Sequence, residues 1–122
     1  MKEEVKDLWL EALRSGKFRQ GRRRLKVMLP DGRFEYCCLG VLCEIAKPYL
    51  LDMWEKEEKE DVHFIRFYGV FSGTLSPQVM DWAGMENDLG TRKGGPLLAY
   101  LNDGGWSFEE IARVIELEWE DL

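Results

Sequence analysis

The segment CCLGVLCEIA, residues 37–46, constrains the fold more than any other part of the chain. Wound as a helix, it places Cys38, Leu42 and Ile45 on one face and Leu39, Cys43 and Ala46 on another, so it is apolar nearly all round. Such a helix has no side to give to water, and the other elements must surround it. Pro48 limits its extension. A chain of 122 residues is long enough to bury one core and too short for two, which predicts a single domain over residues 1–122. With 45 % hydrophobic, 33 % charged and 12 % aromatic residues, the chain is composed as an ordered globular protein, not as a disordered tail.

The flanking segments predict what surrounds that helix. Val5, Leu8, Trp9, Ala12 and Leu13 recur at helical spacing, and Gly16 suits a left-handed cap, giving a helix over roughly residues 3–15. RRLKVML and RFEYC flank the turn PDG and read as a short β-hairpin. WEKEEKEDV reads as a solvated face or loop, and VHFIRFYGVF, rich in β-formers, as a third strand. In LSPQVMDWAG, Ser76 is a suitable N-cap, Pro77 fits the first helical position, Leu75 can staple onto Met80, and Gly84 can close the helix. PLLAYLND reads as a short helix begun by Pro96. The last helix has Ser107 as N-cap, Glu110 as its capping-box partner and Trp106 stapled to Ile111. The expected fold class is α+β: a small antiparallel sheet, hairpin plus third strand, packed with about four short helices. Apolar helix faces outnumber what such a sheet can cover, which leads to the expectation of a homodimer.

A net charge of -6 conceals two opposed regions. Residues 14–33 carry eight bases (Arg14, Lys17, Arg19, Arg22, Arg23, Arg24, Lys26, Arg33) against Asp31 alone, whereas residues 109–122 carry six acids against Arg113. One end is set to attract anions and the other to repel them. No apolar stretch approaches the roughly 20 residues of a membrane span, and MKEEVKDLWLEAL mixes acids with bases, so a soluble protein without signal peptide or membrane partner is expected.

Three cysteines and the single His63 bound the thiol chemistry. Structural zinc takes four ligands, usually in two paired clusters, so Cys37, Cys38, Cys43 and His63 would all have to converge. On one helix Cys38 and Cys43 lie about 140° apart, which opposes convergence, and no metal or other cofactor is expected. A thiol nucleophile would need His63 as base, on a strand whose neighbours Phe64, Ile65 and Phe67 are apolar. The cysteines therefore read as small core residues, close-packed beside Gly40, and as reduced thiols in a cytoplasm; no catalytic residue is assigned.

The segments WLEALRSGKFRQG, YCCLGVLCEIA, LSPQVMDWAG and LNDGGWSFEEIARVIE together resemble a family of small uncharacterised proteins of tailed phages and prophages. The resemblance spans most of the chain except residues 50–68. It implies an accessory protein acting in the host bacterial cytoplasm, with no settled activity. Where members carry a glycine-containing stretch after the pair corresponding to Gln20-Gly21, this chain has Arg22-Arg23-Arg24.

The candidate ligand groups follow from the charge pattern. Guanidinium forks suit bidentate contact with phosphate, and Arg19, Gln20, Arg22 and Arg24 turn toward one side if their segment is extended, with Lys26 beyond them. Tyr36, Trp82 and Trp106 are rings on which a base could stack, each with core packing as its alternative. Asn102, ahead of Asp103 and Gly104-Gly105, reads either as a ligand hydrogen-bonder or as part of a helix-ending turn. The leading expectation is a phage accessory protein that sequesters a nucleotide-like anionic small molecule without turning it over, as an anti-defence sponge. A host protein or nucleic acid bound through residues 14–33 is the alternative, although the acidic end opposes a phosphate backbone. A Cys/His-dependent hydrolase stands third.

Overall fold

A computed structural model of the chain describes residues 1–50, 74–91 and 95–122, together with the backbone of 54–59 and 62–67. The element order is α1 (Glu3–Arg14), β1 (Lys26–Met28), β2 (Phe34–Tyr36), α2 (Cys38–Ala46), β3 (Trp54–Lys59), β4 (Val62–Phe67), α3 (Pro77–Ala83), α4 (Leu98–Asp103), α5 (Phe108–Glu118) and a closing 3-10 turn, Trp119–Asp121. The fold is α+β, with five α-helices among the described residues and a small antiparallel sheet.

α2 lies where its composition requires. Cys38, Leu39, Val41, Leu42, Cys43 and Ala46 have no exposed surface at all. α1, α3, α4 and β2 pack around it, and α5 covers α1 and α4. The helical faces that the sheet cannot cover are thus covered largely by one another. Trp9 on α1 is fully buried and donates its indole N–H to the Cys38 carbonyl over 2.9 Å, tying the two helices and giving the buried indole its partner. Gly40 meets the chain entering β1: a Cβ there would sit 2.6 Å from the Leu25 carbonyl carbon and overlap its oxygen.

Local chemistry set most element ends. α1 stops at Arg14, and Gly16 takes φ 76°. Around α3, Ser76 accepts from the Val79 N–H, Pro77 opens the helix, and Gly84 closes it at φ 71°. Ser107 and Glu110 form the reciprocal capping box of α5. The PDG turn joins β1 to β2 with Val27 opposite Glu35, closed by a bond from the Leu29 N–H to the Arg33 carbonyl. Asp31 accepts from both the backbone and the side chain of Arg33, which holds its carboxyl below the ordinary 3.8.

Two readings are corrected. WEKEEK is not a loop but β3, which pairs antiparallel with β4 in the order β2-β1-β4-β3. It is an edge strand, where a run of charges protects the sheet against further pairing. The helix after Pro96 begins two residues later, at Leu98, because the Leu98 and Ala99 amides turn back to the Gly90 and Leu89 carbonyls. No helix among the described residues is long and apolar enough to cross a membrane.

Candidate functional site

The residues of the basic segment do not act together. Residues 22–25 bend instead of running extended, so the alternation expected of the basic residues is absent. Arg14 bonds Glu109 (3.2 Å) and Glu116 (3.1 Å) on α5, so part of the positive end neutralises the negative one. That pairing lowers the Glu116 carboxyl, chiefly through the Arg14 hydrogen bond. Arg19 pairs with Glu35 (3.2 Å) and Arg33 with Asp31 (2.7 Å). Arg24 is half-buried just before β1.

Four of the residues expected to bind ligand lie elsewhere. Lys26 is buried, 3.5 Å from Glu44 on α2 and over the Phe34 ring. Tyr36 is buried edge-on against Phe18, and burial, then Glu44, pushes its phenol to about 12. Trp82, on α3, stacks on Tyr49 at 5.3 Å and is not among the residues lining the cleft described below. Asn102 has no exposed surface: its Oδ1 accepts from Gln20 Nε2 (2.9 Å) and the Cys38 N–H (3.2 Å), and its Nδ2 donates to the Gly21 carbonyl (2.8 Å). It is neither a ligand group nor only a turn residue. It is a buried clamp joining the 20–21 segment, α4 and the start of α2.

What that clamp builds is a cleft. Gln20, Gly21, Arg22, Glu35, Gly105 and Trp106 line a cavity of about 370 Å³. Gln20 donates to both Asn102 and the Trp106 carbonyl (2.7 Å), fixing one wall against the other. The Arg22 guanidinium lies over Gly105, 3.4 Å from where a Cβ would stand, and has no ion pair within the described residues. Trp106 is 41 % exposed despite its size. Next in the loop, Arg23 takes φ 69°, the one non-glycine residue at positive φ among those described. Its N–H bonds to Asp103 Oδ1 at 2.7 Å, which holds a conformation costing roughly 1–3 kcal/mol. Strain sustained in this way, beside a cleft, marks a place where loop shape matters more than loop stability.

The thiols are core. Cys37 caps α2, its sulfur accepting from the Gly40 N–H, and Cys38 Sγ faces the Leu98 carbonyl at 3.7 Å. Burial pushes Cys37 to about 11 and Cys38 and Cys43 well above 9.0, the opposite of what a nucleophile needs. The His63 side chain lies outside the described residues, and among those described no cluster of three or more metal-ligating side chains occurs. The raised thiols have a testable consequence. Their contribution to stability is complete below about pH 9 and is lost as pH rises through the folded values, since the unfolded chain releases those protons first. For Cys37 alone, moved from 9.0 to about 11, full ionisation costs on the order of 3 kcal/mol. Urea midpoints should therefore fall steeply between about pH 9 and about pH 11, and a flat profile would contradict thiol burial.

Trp106 and Glu35 were the residues that composition undervalued. Trp106 reads equally well as a staple, and Glu35 is one acid of a hairpin strand until the fold turns it toward Gly21. In class, then, this is a small α+β protein with a mixed-charge cleft between its basic loop and the α4–α5 turn. The chain belongs to the domain-of-unknown-function family DUF8296, whose family model matches residues 1–119. No curated protein and no solved structure matches it.

Proposed function

We propose that the protein binds a nucleotide-like anionic small molecule in this cleft and holds it without turnover. The observation that carries the reading is the placement of Arg22, a guanidinium with no ion pair among the described residues, and an exposed indole, Trp106, on one cavity of about 370 Å³. That volume falls within the range of small-molecule sites, roughly 300–1,000 Å³. A ring for a base and a cation for a phosphate are the two groups a nucleotide requires of its host. The pairing of Arg14, Arg19, Lys26 and Arg33 with acids supports a pocketed ligand over a polynucleotide, because it disperses the charge a phosphate backbone would use. The inert thiols weigh against the hydrolase reading. Together with the resemblance to phage accessory proteins, the natural role of such binding is removal of a host nucleotide signal.

The test is incubation with a panel of mononucleotides, cyclic dinucleotides, cyclic trinucleotides and cyclic ADP-ribose isomers, followed by filtration, heat denaturation and chromatography of what is released. Retention of at least one compound, recovered unchanged, is expected. Arg22→Glu should abolish retention, and Trp106→Ala should weaken it at least about fivefold. Arg22→Glu should melt like the parent, since exposed substitutions move stability by about 0.5 kcal/mol or less, whereas Trp106→Ala, which removes a ring more than half buried, should lower the melting point while leaving the chain folded. A product that grows with protein and time would make the chain an enzyme. Retention unaffected by either variant would place the ligand elsewhere.

A further inference from the structure

We propose that the cleft selects guanine among the nucleobases, with Glu35 as the residue that reads it; this rests on the nucleotide reading above. A carboxylate inside an anion site opposes the ligand unless it accepts hydrogen bonds from it. Glu35 is well placed for that. Its side chain is only 26 % exposed, and Arg19 holds Oε2 at 3.2 Å. Oε1 lies 3.6 Å from where a Cβ on Gly21 would stand, and that Cβ would come within 2.8 Å of Glu35 Cβ. Glycine at position 21 therefore keeps the carboxylate open to the cleft.

The remaining lining has the same bias. Both Gln20 Nε2 bonds are spent, on Asn102 and the Trp106 carbonyl, which leaves Oε1 as the group this residue can offer. The Gly104, Gly105 and Trp106 amides are bonded to the Tyr100, Asn102 and Leu101 carbonyls, so the glycine turn offers no donors for phosphate. Among the lining side chains, Gln20 Oε1 and the Glu35 carboxylate are acceptors and Arg22 is the cation. The complementary molecule has an edge of adjacent donors and a separate negative group. Guanine presents N1–H and the N2 amino group side by side, whereas adenine and cytosine set an acceptor next to their amino group and uracil flanks its single N–H with carbonyls. With the base stacked on Trp106, Arg22 is the group that meets the phosphate.

Equilibrium dialysis of the intact chain against guanosine, inosine, adenosine, cytidine and uridine 5′-monophosphates tests this. Guanosine monophosphate should bind roughly 10- to 100-fold more tightly than the adenosine, cytidine and uridine compounds. Inosine monophosphate, lacking the 2-amino group, should fall between. Glu35→Gln, which replaces one acceptor by a donor and removes a negative charge facing the phosphate, should erase the preference, weakening the guanosine compound and tightening the adenosine compound. Binding without base preference, inosine equal to guanosine, or a guanine preference that survives Glu35→Gln would overturn the guanine assignment and leave nucleotide binding standing. Failure of all five, and of the cyclic panel, would overturn both. The inosine comparison needs no variant, so a Glu35→Gln chain that misfolds does not remove the test.

Discussion

Gly40→Ala should leave the chain unable to hold its native fold. The added methyl would overlap the Leu25 carbonyl group, which is backbone and cannot rotate away, in a core where Leu25, Leu39 and Val41 are all fully buried. Relief requires α2 to move off β1, and α2 is in contact with α1, α3, α4 and β2. The expected cost exceeds about 4 kcal/mol, at the extreme of single substitutions, and should appear in a urea titration as a collapsed midpoint or as insoluble protein. Gly32→Ala is the matched control. Gly32 sits at φ 86° with nothing within 4 Å of its would-be Cβ, so it carries only the backbone penalty, roughly 1–2 kcal/mol. Equal midpoints for the two variants would show that Leu25 does not lie against α2.

Asn102→Ala should be nearly as damaging, and in a different manner. It strips the buried Cys38 N–H of its acceptor and the Gly21 carbonyl of its donor, and it frees Gln20 from one of its two anchors. Buried polar groups left unsatisfied cost about 1–3 kcal/mol each, which sets the loss at roughly 3 kcal/mol or more. Because the same side chain joins the two walls of the cleft, ligand retention should fall even where the chain remains folded. Asn102→Asp keeps the acceptors but faces the Gly21 carbonyl with another oxygen, so it should not restore stability. A variant at position 102 with unchanged urea midpoint would mean that the clamp carries no stability.

These expectations differ in how far the sequence announces them. The closeness of Gly40 was legible, because a small residue amid large apolar ones on a helix with no polar side implies a neighbour on that side. The hairpin at PDG, the Ser76-Pro77 start and Gly84 stop of α3, and the Ser107-Glu110 box were legible for a related reason: each is decided by groups within four residues of one another. Asn102 was not. Its partners are Gln20, Gly21 and Cys38, more than sixty residues away, and no local rule distinguishes a clamp from a turn residue. The charge run 54–59 was misread because strands at a sheet edge tolerate charges that a central strand would exclude, and which strand is the edge depends on pairing order.

The sequence alone pointed to α2 as the centre, to the cysteines as core residues, and to helices outnumbering strands. Apolar periodicity and capping are short-range chemistry and survive without knowledge of the fold. The tertiary structure decided which cations are spent and which remain. Arg14 is spent on α5, Arg19 on Glu35 and Lys26 on Glu44, while Arg22, with no ion pair among the described residues, lies over a glycine turn beside Trp106. An ion pair is set by distance in space, and a run of bases along the chain holds no information about which acids the fold brings within 4 Å of it.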